Sequence, residues 1–198
     1  MQVGEVLPAR ARELQRSNAA TLVDVRPEHE HRRASLDPAV ARTLHVPFFH
    51  NEGWSTPMRA FRSAVALAFG GWWTGDLAVT RNPTFERQVH ASTSSLDERL
   101  LVCCQRGYRS LSACEQLALY GFTNISWLSG GIEACGEGDL LAADGLDIRR
   151  AGEGGLSKLL GFTPFEQHEI GTLPSIARFA VFALMVDLII EFTVFGRS

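Results

Sequence analysis

The segment Leu100–Gly131 constrains this chain more than any other. Leu100–Cys103 is an apolar run after the polar Asp97-Glu98-Arg99, and reads as a buried central strand. Ser110–Tyr120 is helical, with Leu111, Cys114, Leu117 and Ala118 on one stripe, and Gly121 stands where a helix-ending glycine belongs. Asn124–Leu128 is a further strand, ended by Gly130-Gly131. Strand, tight loop, helix and strand within about thirty residues make a βαβ unit. Such a unit requires an α/β fold with an at least partly parallel central sheet and helices on its faces.

The remaining pattern fits that class. Pro8–Gln15 predicts a short helix, with proline at its first turn. Thr21–Val25 predicts a buried strand that stops at Pro27, and Thr43–Pro47 a second one. The polar run Glu28–Arg33 between them reads as a solvated helix or turn. About residues 51–95 look like a helical insertion, with an amphipathic helix over Met58–Phe69 and another over Pro83–Val89. The domain is expected to occupy 1–150, followed by a linker over 151–175.

Bulk properties exclude some functions. A net charge of -3 argues against a general nucleic-acid binder. The four cysteines match no zinc-ligand spacing and read as reduced thiols. No metal or cofactor motif is present, and the six histidines form no ligand pattern and read as surface or packing residues.

Chemistry is expected in the loop Cys103-Cys104-Gln105-Arg106-Gly107-Tyr108-Arg109-Ser110. It leaves the carboxyl end of a strand, where open α/β sheets place their ligands. A helix N-terminus and successive loop amides favour an anion, so a thiol there tends toward the reactive thiolate. Arg106 and Arg109 add positive charge, and Gly107 permits the positive φ of a crowded loop. Cys114 is expected in the core and Cys135 at the periphery.

These residues resemble the rhodanese homology domain, a sulfurtransferase fold. The family pattern of a strand, C-x-x-G-x-R-S, a helix, G-F/Y-x-x-V/I and G-G is met by Cys104–Ser110, Gly121-Phe122-Thr123-Asn124-Ile125 and Gly130-Gly131. Leu22–Arg26 resembles its L-I-D-V-R strand and Leu44–Pro47 its A-x-x-V-P step, whereas its usual H-I-P-G-A is replaced by Ala34–Pro38. The resemblance implies that Cys104 takes sulfur from a thiosulfate-like donor as a persulfide and passes it to a thiol acceptor. Gln105–Ser110 would cradle that sulfur, with Arg109 attracting an anionic donor or supporting the loop. Asp24 and Arg26 would pin nearby loops.

Two other readings stay open. Counted from Cys103, the spacing C-x5-R-S is that of cysteine phosphatases and arsenate reductases, although Val102 stands where phosphatases usually carry histidine. Alternatively, the domain is a docking subunit without turnover.

The segment 176–195 has about the length needed to cross a bilayer and is expected to be a hydrophobic, membrane-associated helix. Asp187 near its middle is costly there, and Glu191 lies one turn later on the same face, which suggests contact with a partner subunit. The stretches Arg81–Phe85 and Gly155–Pro164 are similar to chloroplast rhodanese-like proteins of plants and algae, which implies a thylakoid membrane location with the domain facing the stroma.

Overall fold

The computed structural model describes residues 3–51, 56–66, 79–143 and 147–152. Five parallel strands form one sheet in the order β1-β7-β6-β2-β3, comprising Gly4–Val6 (β1), Thr21–Asp24 (β2), Thr43–His45 (β3), Leu100–Cys103 (β6) and Ile125–Leu128 (β7). Phe49–Asn51 (β4) and Val79–Arg81 (β5) make a separate antiparallel pair. Among the described residues five helices accompany the strands: Pro8–Arg16 (α1), Glu28–Arg33 (α2), Pro57–Ala66 (α3), Phe85–Ser92 (α4) and Tyr108–Tyr120 (α5). Two 3-10 turns follow β7, at Ile132–Ala134 and Ile148–Gly152.

The two-residue period of the strands sorts their side chains onto two faces. On one face Leu22, Leu101, Cys103 and Leu128 join Ala11 and Leu14 of α1 and Ile132. On the other, Val23, Leu100, Val102 and Cys104 join Phe85 and Val89 of α4 and Ala113, Cys114 and Leu117 of α5. β2 and β6 are buried at every position, as central parallel strands covered on both sides must be. Helix α5 closes at Gly121, whose N–H still donates to the carbonyls of Leu117 and Ala118 while its φ of 122° turns the chain out of the helix.

Several details depart from the sequence reading. Helix α5 begins at Tyr108, two residues earlier than expected, so its N-terminus opens directly out of Gly107. β1, β4 and β5 were not anticipated, each being only three residues long. Cys135 is not peripheral: it is buried in the α1-side core, where burial pushes its thiol up to about 11. Phe61, within the expected amphipathic helix, is exposed on α3. No helix among the described residues is long and apolar enough to cross a membrane, and the expected hydrophobic helix at 176–195 lies outside them.

Candidate active site

β2 and β6 pair in parallel with Asp24 level with Cys103, so the loops leaving their carboxyl ends lie side by side. The loop after β6 is short because α5 starts five residues after Cys103. Gly107 makes the turn in the left-handed region, with φ of 89°.

This turn folds the backbone around Cys104. The N–H of Gly107 donates to Cys104 Sγ at 3.1 Å and that of Ser110 at 3.3 Å. Ser110 Oγ lies 3.4 Å from the same sulfur and donates to the Gly107 carbonyl at 2.8 Å. Two main-chain donors thus converge on one sulfur, at a helix N-terminus whose first-turn N–H groups lack partners within the helix. Cys104 has no exposed surface.

Cys103 has the opposite fate. Its Sγ points to the α1-side core and lies 3.5 Å from the Leu101 carbonyl. Burial pushes this thiol well above its ordinary range, and the Asp24 carboxylate adds to the rise. The Cys103 sulfur thus lies outside the loop that surrounds Cys104.

The loop rests on the turn after β7. Ile132 N–H donates to the Cys104 carbonyl at 2.9 Å and Glu133 N–H to that of Gln105 at 3.0 Å. Gly131 lies so close that a β-carbon there would stand 2.5 Å from both the Gln105 carbonyl oxygen and the Gly107 nitrogen. On its other side Gln105 Nε2 donates to the Arg149 carbonyl.

Asp24 and Arg26 form a fully buried ion pair, with Arg26 Nη2 2.7 Å from Asp24 Oδ2 and Nε 3.0 Å from Oδ1. Arg26 Nη2 also donates to the Ala34 carbonyl, tying the connection after α2 to the strand end. Although burial alone would raise it, the guanidinium and the ring of His31 hold the Asp24 carboxyl far below the usual range. His31 Nδ1 lies 3.1 Å from Asp24 and its ring stacks on that of His45 at 3.7 Å. These two histidines therefore pack, as the sequence reading expected, but over a buried charge rather than on an idle surface.

Both loop arginines are paired with carboxylates. Arg109 makes a two-pronged pair with Glu30 of α2, at 2.7 and 2.8 Å, and Arg106 pairs with Glu133 at 3.1 Å. Burial works against the Arg109 cation, but the Glu30 carboxylate outweighs it and raises its pKa. Tyr108 stands exposed at the first helical position. Glu30 was invisible to sequence reasoning, because no local spacing links it to a residue 79 positions away.

A buried parallel sheet that presents one sulfur to an amide-lined loop defines a protein built around a single held thiol. The rhodanese-like domain family matches residues 7–137, and the chain belongs to it. It is 34% identical over 142 residues to Rhodanese-like domain-containing protein 11, chloroplastic, of Arabidopsis thaliana, covering 72% of this chain and 47% of that protein. It is 32% identical over 168 residues to Rhodanese-like domain-containing protein 10 of the same plant, covering 82% and 77%. The chain thus spans about half the length of one of these relatives. Among solved structures it is similar to Rv0390 from M. tuberculosis, with 21% identity, a TM-score of 0.46, and coverage of 66% of this chain and 80% of that one.

Proposed function

We propose that the chain is a sulfurtransferase acting through a persulfide on Cys104. The observation that carries this reading is the convergence of the Gly107 and Ser110 N–H groups on the Cys104 sulfur. In the first step the thiolate attacks the outer sulfur of a donor. With thiosulfate, Cys–S⁻ and S–SO3²⁻ give Cys–S–S⁻ and sulfite, which leaves with the electron pair of the broken S–S bond. An acceptor thiolate then attacks the outer sulfur, carries it away as its own persulfide and restores Cys–S⁻. Both steps keep negative charge on sulfur inside the loop. Amide dipoles fixed before the reaction stabilise that charge without reorganising. The remaining loop positions, Gln105, Arg106, Tyr108 and Arg109, supply backbone to the cradle, while Asp24 and Arg26 hold the strand end beneath it.

The full-length chain is incubated with thiosulfate or cysteine persulfide and its intact mass is measured. One added sulfur, lost in Cys104→Ser and kept in Cys103→Ser, supports the assignment. Retention in Cys104→Ser moves the chemistry to another thiol and refutes it.

A second reading, a docking module without turnover, draws on the complete burial of Cys104. It expects no sulfur on the native chain from either donor.

The words of the relatives' names favour a chloroplast location. The apolar segment 176–195 supports tethering to the thylakoid membrane, with Asp187 and Glu191 turned to a partner subunit. Carbonate extraction checks the tether: release into the soluble fraction refutes a span.

A further inference from the structure

We infer that Glu30 sets the donor preference of this site, selecting a thiol persulfide over the thiosulfate dianion; the inference rests on sulfur transfer at Cys104. Three arginines surround the loop, and each is matched by a carboxylate: Arg26 by Asp24, Arg106 by Glu133 and Arg109 by Glu30. The pairs are not equivalent. Arg26–Asp24 is sealed below the strand ends, and Arg106–Glu133 is an exposed pair whose charges are screened by salt. Arg109 directly precedes Ser110, whose N–H donates to the Cys104 sulfur, and its partner Glu30 is held under the surface with only 7% of its side chain exposed. Both prongs of the guanidinium are engaged, the geometry that most fully commits an arginine to one carboxylate.

An approaching thiosulfate therefore meets amide dipoles, and the three arginine charges described at the loop are each committed to a carboxylate. It brings two negative charges toward a thiolate that bears a third. A persulfide R–S–SH avoids this. Cys–S⁻ attacks its outer sulfur, the S–S bond breaks, RS⁻ leaves with the electron pair, and Cys–S–SH remains with the proton. The form of that donor that reacts, R–S–SH, is protonated at its outer sulfur and brings no charge there, so neutral surroundings do not oppose it. Glu30 never touches the donor. It acts through Arg109 and is a positioning and specificity residue.

The test measures the rate constant of sulfur loading per donor concentration on the full-length chain, with thiosulfate and with cysteine persulfide, at several salt concentrations. Wild-type protein is expected to load faster from persulfide, and its thiosulfate rate to change little with salt. Glu30→Gln keeps the shape and an acceptor for Arg109 but frees its charge. It should raise the thiosulfate rate about tenfold, the low end of what one unneutralised charge does to the capture of a small ion, and the gain should shrink as salt is added. The persulfide rate should move less than about threefold, since its reacting end carries no charge for Arg109 to attract. Glu30→Asp keeps the charge and should keep the wild-type donor ratio. An unchanged donor ratio in Glu30→Gln overturns the inference while leaving sulfur transfer standing. Should Glu30→Gln fail to fold, a wild-type thiosulfate rate that falls steeply with salt overturns it equally. Loading from neither donor sinks the sulfur-transfer reading and this inference with it.

Discussion

Replacing Gly131 by alanine probes the support beneath the sulfur loop. Gly131 has φ of 70° and ψ of -168°, a conformation that is essentially restricted to glycine. Holding alanine there costs about 1–3 kcal/mol of backbone strain. Its methyl group would also stand 2.5 Å from the Gln105 carbonyl oxygen and the Gly107 nitrogen, and 2.6 Å from the Arg106 nitrogen. All three atoms are main chain, so none can swing aside as a side-chain tip would. Overpacking of this kind adds about 1–3 kcal/mol, for a total of about 2–6 kcal/mol. With a urea slope of about 2 kcal/mol per M, the unfolding midpoint should fall by about 1–3 M. Gly138→Ala is the control, since Gly138 has nearly the same φ of 72° with nothing within 4 Å of an added β-carbon. It should cost only about 1–2 kcal/mol, from conformation alone. Because the clash falls on the loop itself, Gly131→Ala should also slow sulfur loading of Cys104, whereas Gly138→Ala should not. Equal midpoints for the two variants, with unchanged loading in both, would refute the claim that the glycine pair shapes the loop.

Asp24→Asn leaves Arg26 buried without its counter-charge and should cost about 3–5 kcal/mol in urea unfolding. The double variant Asp24→Leu/Arg26→Met, which removes both charges, should be less damaging than the single one. Burial holds the His45 imidazole below its ordinary pKa, so the unfolded chain takes up its proton first on acidification. The stability this contributes is complete above about pH 6.5 and is lost as pH falls through the lower folded value. Asp24 adds a second loss that begins only below about pH 4, since its folded pKa is also depressed. Urea midpoints measured against pH check both, and His45→Phe should abolish the first decline but not the second. Native alkylation with iodoacetamide at neutral pH, read by intact mass and peptide mapping, should leave Cys103, Cys114 and Cys135 unmodified, because burial raises all three thiols.

The parts of this structure that local physics decides were legible in the sequence. β6, α5 and β7 announce themselves through an apolar run, a helical stripe and glycines at Gly107 and Gly121, and those glycines do adopt positive φ. The separation of Cys103 from Cys104 follows from strand alternation alone, once the strand is known to end there. What stayed hidden is long-range. The charge of Arg109 looked available because its partner sits on a six-residue helix that reads as a solvated polar run. Only the parallel pairing of β2 with β6 swings that helix over the loop. β1 escaped for a different reason: Gly4-Glu5-Val6 has no strand signal of its own, and edge pairing with β7 supplies its structure.

The two adjacent cysteines show how one backbone can give two buried thiols opposite surroundings. A strand places neighbouring side chains on opposite faces, so the pair must divide between the two cores. On the α1 side, Cys103 meets apolar neighbours and the Asp24 carboxylate, both of which oppose ionisation. On the α5 side, Cys104 lies where the strand has ended and the chain turns through Gly107, so main-chain N–H groups replace apolar contacts on the loop side of its sulfur. Shifting the strand end by one residue would exchange these surroundings. Gly107 turns the chain through the left-handed region into the first turn of α5, and a side chain there would stand 3.1 Å from the Trp127 ring and 3.2 Å from the Gly130 and Gly131 nitrogens. Which of the two sulfurs meets main-chain N–H groups is therefore decided by where a glycine stands, three residues beyond Cys104.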